Sequence, residues 1–190
     1  MIRSAMIRST RSFARTGLAA LLSLAAADVL AQGTAPSGID YANAAFSIDG
    51  QRLQLAGGQR AAPAVPGSAA ERHTRVVGTP AFGTLAGLPA AAVFVADDGG
   101  GSGQFFYVGV AFGNGHATVP APIGDRIQPR SIVFRGDRLV ATFLDRRPGE
   151  PMASAPTVPK TVVLAFDAAR DALVETRDAG VTPGADKRGD

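Results

Sequence analysis

Cysteine and tryptophan are both absent from this 190-residue chain. Without thiols it has no disulfide framework, no zinc-thiolate or iron–sulfur site and no cysteine nucleophile. An excess of one charge is also lacking over most of its length. The formal +3 comes from the first 31 residues, where Arg3, Arg8, Arg11 and Arg15 face a single acid, Asp28. Residues 32–190 hold 15 basic and 15 acidic side chains, so the charge gives no support for a nucleic-acid partner. No apolar run approaches the about 20 residues of a membrane-spanning helix. What is present is a normal apolar share, 46%, which excludes disorder of the whole chain.

The amino-terminal segment reads as an address. Residues 1–16 carry Arg and no acid, residues 17–27 are largely apolar, and Val29 and Ala31 place small or short side chains before Gln32. This is the three-part pattern of a secretory signal peptide spanning residues 1–31, with cleavage after Ala27 as a second option. Only one Arg stands in Ser9-Thr10-Arg11-Ser12-Phe13, which favours general secretion over a twin-arginine route. The repeat of Met-Ile-Arg-Ser at 1–4 and 6–9 leaves Met6 as an alternative start. The expected mature protein is exported, periplasmic or secreted, with no stable membrane insertion once the leader is cut.

Beyond the leader, 13 Pro and most of the 23 Gly cut the chain into short apolar runs, which argues against long helices. Phe46 and Ile48 alternate with polar residues, as do Leu53 and Leu55, and Asp49-Gly50 between them predicts a hairpin because both turn residues tolerate positive φ. Residues 57–70, rich in Gly, Ala and Pro, are expected to be a surface loop. Residues 90–96 form an apolar run. Residues 104–112 are apolar on both faces, Phe106, Val108, Val110 and Phe112 on one and Phe105, Tyr107, Gly109 and Ala111 on the other, as expected of a central strand covered on two sides. Further hairpins are predicted about residues 135–138 and 168–171, and a short helix is possible near residues 39–45. The expected fold is all-β or β-rich α+β: an antiparallel sheet, sandwich or small barrel of about eight short strands in one domain, 32–177, with a tail at 178–190.

The stretches Gly99-Gly100-Gly101-Ser102-Gly103-Gln104-Phe105-Phe106-Tyr107, Gly124-Asp125-Arg126 and Pro148-Gly149-Glu150-Pro151-Met152 resemble an uncharacterised family of exported bacterial proteins. Its members share a Gly-Gly-Ser-Gly-Thr-Phe-Tyr-Tyr stretch, a Gly-Asp-Arg turn and a Pro-Gly-Glu-Pro-Met stretch. The likeness covers about residues 38–176 and implies export and a compact β-rich domain, with no assigned activity. Relatives carry a carboxylate-rich, calcium-type loop before the apolar strand. Here the matching residues, Gly83-Thr84-Leu85-Ala86-Gly87-Leu88-Pro89, offer one side-chain oxygen, so the loop is expected to bind no calcium while Gly83 and Gly87 keep a turn.

Candidate site residues are few. Asp97 and Asp98 precede the Gly loop and form a carboxylate pair for acid–base work or cation binding only if the loop bends them together, since adjacent strand residues face opposite ways. The loop satisfies neither phosphate fingerprint. Ser102 fails the GxSxG pattern at Gln104, and its only possible imidazole bases are His73 and His116, too few ligands for a typical catalytic zinc site. The aromatics at 105–107 suit stacking on bases or sugars, or core packing. Asp125, Arg126, Asp145, Arg147 and Glu150 are candidates for an ion-pair cluster beside the loop. Arg135-Gly136-Asp137 and Arg188-Gly189-Asp190 read as turn and tail, and residues 148–159 as a linker or a Pro-rich contact segment. The expectation is a non-enzymatic binding or structural domain of the envelope, without cofactor or metal, whose partner is an envelope protein or a small polar ligand. If it binds a small polar ligand, Asp97, Asp98, Ser102, Asp125, Arg126 and Asp145 hold it; a hydrolase using the Asp97/Asp98/Ser102 loop is the alternative.

Overall fold

The structure is a computed structural model that describes residues 38–176. The expected leader (1–31) and tail (178–190), with its second Arg-Gly-Asp, lie outside the described residues. Eleven strands and one 3-10 turn make up the described chain. The strands are β1 (Ala45–Ile48), β2 (Gln51–Gln54), β3 (Gln59–Pro63), β4 (Glu71–Leu85), β5 (Leu88–Asp98), β6 (Phe105–Phe112), β7 (Ala121–Asp125), β8 (Gln128–Arg135), β9 (Arg138–Asp145), β10 (Val158–Asp167) and β11 (Ala172–Glu175). They pair antiparallel in chain order as a hairpin β1–β2, a five-stranded sheet β3 to β7 and a four-stranded sheet β8 to β11. The fold is therefore all-β, and a sandwich.

Strand β5 explains the layering. One face of β5 and its neighbour β6 presents Ala92, Phe94, Val108, Val110 and Phe112, which pack against Ile132, Leu139, Ala141 and Leu164 of the four-stranded sheet. The other face presents Val93, Val95 and Ala111 to Phe46, Ile48, Leu53 and Leu55, the alternating residues of the β1–β2 hairpin. A two-stranded hairpin is marginal alone, and this one lies with its apolar side on a third surface. The expectation of a strand covered on both sides is met by β6. Gly109 is part of the reason the hairpin fits, because a Cβ there would stand 2.6 Å from a ring carbon of Phe46.

The predicted hairpins form at Asp49-Gly50, with φ of 53° and 74°, at Gly136-Asp137 and at residues 168–171. The short helix near residues 39–45 is the 3-10 turn Tyr41–Asn43, capped by Asp40, whose carboxylate accepts from the Asn43 amide. Three strands depart from expectation. Residues 57–70 are not simply a loop, since Gly57 and Gly58 make a tight turn between Ala56 and Gln59 and β3 follows. Strand β3 is an edge, exposed at Gln59, Ala61 and Pro63 and only half-buried at Arg60 and Ala62, so it carries no apolar alternation. The buried residues in the first half of β4 are Arg72 and Thr74, and a bulge between Val77 and Ala81 accommodates Pro80. Strand β7 is a short edge carrying Pro122 and Gly124. These three raise the count from about eight to eleven. In the region compared with a calcium-type loop, Ala86 (φ 50°) and Gly87 (φ 76°) make the turn. Gly83 lies within β4, where the ring of Phe134 takes the space of a Cβ at 2.5 Å, so it serves packing and not the turn.

Candidate ligand-binding site

Register places one residue from each of five strands in a row across the outer face of the five-stranded sheet: Arg60, Thr74, Asp97, Phe105 and Asp125. The hairpin tip closes over the middle of this row. Asp97 is 2% exposed and accepts two parallel bonds from Arg72, Nε at 3.0 Å and Nη2 at 2.8 Å. Thr74 Oγ1 donates to the same carboxylate at 2.7 Å. Arg72 Nη1 then donates to Gln51 Oε1 at 3.0 Å, and Asp49 lies 3.5 Å from Nη2. A bidentate arginine–carboxylate pair with its remaining lone pairs used is the arrangement that makes burial of two charges tolerable. The bond to Asp97 pushes the Arg72 guanidinium pKa up against the opposing effect of burial. Burial, reinforced by the charges of Asp49 and Asp97, pushes the Tyr107 phenol up as well.

Asp98 does not join Asp97. It points to the opposite face of β5 and accepts from the Gly100 amide at 3.1 Å. Ser102 is exposed, and neither imidazole hydrogen-bonds it among the described residues. His73 Nε2 lies 3.3 Å from Glu71, while His116 Nε2 lies 2.6 Å from Asp171 and its ring stacks on Phe112. No group of three metal-type side chains occurs among the described residues. Of the three aromatics at 105–107, Phe106 is buried in the core and Tyr107 half-buried, while Phe105 is 48% exposed with its ring over Gly103.

The expected polar cluster resolves into separate pairs held by one arginine that sequence reasoning passed over. Asp125 accepts from the Gln104 amide at 2.9 Å and lies 3.6 Å from Arg126. Asp145 lies 2.5 Å from Lys160, a bond that holds its carboxyl below the usual range. Arg147 pairs with Glu150. Arg146 joins the β7–β8 turn to the β9–β10 loop, donating to the carbonyls of Arg126 at 3.1 Å and Ser154 at 2.6 Å. The Pro-rich stretch 148–159 is thereby a fixed connection running into β10.

Beside the buried Arg72–Asp97 pair lies a groove of about 620 Å³. Its polar lining is Gln54 of β2, Gln59 and Arg60 of β3, and His73, Thr74 and Arg75 of β4, with Ala56 and Ala61 as its small residues. The ribbon contributes from both faces, Arg60 and Thr74 on the face toward the hairpin and Gln59, Ala61, His73 and Arg75 on the exposed face. Thr74 and Gln54 are themselves anchored, Thr74 on Asp97 and Gln54 through its amide to the Asn43 and Leu55 carbonyls. The chain Gln51–Arg72–Asp97–Thr74 ties the hairpin to β4 and β5 beneath the groove. The groove is not legible in the sequence because β3, rich in Ala and closed by Pro63, carries no strand pattern. The one legible signal was Arg72-x-Thr74-x-Val76, a period-2 pattern with polar residues in the inward places. Compared with family models, curated proteins and solved structures, the chain matches none.

Proposed function

We propose that this chain is an exported, non-enzymatic binding domain of the cell envelope, and that the groove lined by Gln54 of β2 and by the β3–β4 ribbon seats its ligand. The groove carries the reading. Its volume lies within the usual range for small-molecule sites, and its polar side chains are backed by a buried hydrogen-bonded network. Asp97 supports the groove from the buried pair, Asp98 is bonded within its own loop, Asp125 to the Gln104 amide beside β6 and Asp145 to Lys160 of β10, and Arg126 and Ser102 lie outside the groove lining. The resemblance to exported bacterial proteins and the leader pattern support the location.

Two measurements test the reading. Produced in a secreting bacterial host, the mature protein is expected in the periplasm or medium with an intact mass beginning at Gln32; retention of residues 1–31 would overturn export. Native mass spectrometry of that material is expected to show a reproducible small-molecule adduct. Ala61→Trp fills the groove from an exposed position and is expected to abolish the adduct while leaving the circular dichroism unchanged. An adduct that survives this variant lies elsewhere, and the groove is then not the seat.

A further inference from the structure

We infer that the groove takes an oxyanion, a carboxylate or phosphate group carried on a small polar molecule. This rests on the reading of the groove as the ligand seat and names the chemistry it selects. The described domain is balanced, with 12 basic and 12 acidic side chains at residues 38–176, yet no acid lines the groove. The neighbouring acids are committed to other partners. Asp97 and Asp49 face Arg72 and Glu71 faces His73, while Asp98, opposite His73 across β4 and β5, accepts from the Gly100 amide and, among the described residues, pairs with no cation. Among the described residues, Arg60 and Arg75 make no ion pair. Two uncompensated guanidinium groups therefore border a concave space in a neutral domain.

The register adds direction. Arg75 stands opposite Gln59 across the β3–β4 ribbon, and His73 opposite Ala61, all four on one face. Guanidinium and amide side by side supply N–H donors for a planar or tetrahedral oxyanion, and Ala61 leaves room above the imidazole. Arg60 borders the same groove from the other face of the ribbon. With its NH2 donating to the Asn43 and Leu55 carbonyls, Gln54 offers its Oε1 as an acceptor for a hydroxyl or N–H on the body of the ligand. Arginine is favoured over lysine for such recognition because its fork meets two oxygens at once.

The test titrates the full exported chain, labelled with ¹⁵N, with inorganic phosphate, with glucuronate and with glucose at millimolar concentrations. Both anions are expected to shift the amides of residues 54–61 and 73–75, with glucose leaving them in place. A response to phosphate alone identifies a phosphate group as the source of the oxyanion, and a response to glucuronate alone identifies a sugar carboxylate. Arg75→Gln, an exposed position, is expected to weaken the response by about 10-fold or more, the loss of one charge-assisted hydrogen bond, and added salt to weaken it further. Arg60→Gln supplies a second variant at the groove's other side. If glucose shifts the groove amides as strongly as glucuronate and Arg75→Gln changes nothing, the oxyanion assignment is wrong while the groove still binds. If the anions shift only amides remote from the groove, or none, both readings fall.

Discussion

Single residues decide whether the hairpin layer stays on the sheet. Arg72 and Asp97 are both buried, so removing one leaves the other as an uncompensated charge. Asp97→Ala is expected to cost about 3–5 kcal/mol, read as a shift in the denaturant midpoint. Arg72→Met with Asp97→Leu is expected to be less damaging than Asp97→Ala alone, because the charge and its desolvation leave together. Gly109→Ala tests the other contact. Its Cβ has no room beneath Phe46, and the substitution is expected to cost about 1–3 kcal/mol and to be partly rescued by Phe46→Leu. Asp145 gives a pH dependence with a defined sign. Its bond to Lys160 lowers its folded-state pKa below 3.8, so its contribution is present above pH 3.8 and is lost as the pH falls through the folded value. Lys160→Met is expected to remove this contribution, so that wild-type and variant stabilities converge on acidification in guanidinium titrations.

Edges matter most at the scale of the strands. Strand β3 is the outer strand of its sheet, but Gln59 spends its N–H and C=O on Ala56, and Pro63 has no N–H to offer. Strands β7 and β8 carry Pro122 and Pro129, and β11 is covered by a bridge to Val119. Proline on an outer strand blunts pairing with a second chain. Pro63→Thr, which restores a donor beside the exposed Ala61, is expected to give concentration-dependent association by analytical ultracentrifugation. This scale also shows which elements were legible in the sequence. The hairpin at Asp49-Gly50 and the doubly covered β6 were readable because apolar alternation and turn chemistry agreed. Strands β3 and the first half of β4 were not, because one is an exposed edge and the other turns Arg72 and Thr74 inward. The groove is lined mostly by those two strands and is hidden with them. Asp97 was visible as a candidate, but only its partner 25 positions earlier reveals that it is a strut.

For the molecule as a whole, the two sheets are joined by more than their shared core. The β6–β7 loop reaches across to the β10–β11 turn, where Val119 bonds the backbone of Asp171 and Leu173, and His116 meets the Asp171 carboxylate. Elsewhere Arg146 links the β7–β8 turn to the β9–β10 loop. The His116–Asp171 pair is exposed, and His116→Ala is expected to cost no more than about 1 kcal/mol globally. Its effect is expected in local opening, as faster amide exchange at Val119 and Leu173 with little change at Val93 or Val108.

The sequential pairing of strands has a consequence for the order in which the chain can become native. From β3 to β7, and again from β8 to β11, each strand needs only the one just made, so a chain emerging from its amino end meets its partners with short loop closures. Two contacts break this rule. The β1–β2 hairpin is made first but has no surface to cover until β5 and β6 exist, and Val119 waits for Ala172, the first residue of the last strand. The apolar side of the hairpin therefore stays uncovered until residues 93–111 are made, and β11 is the closing step.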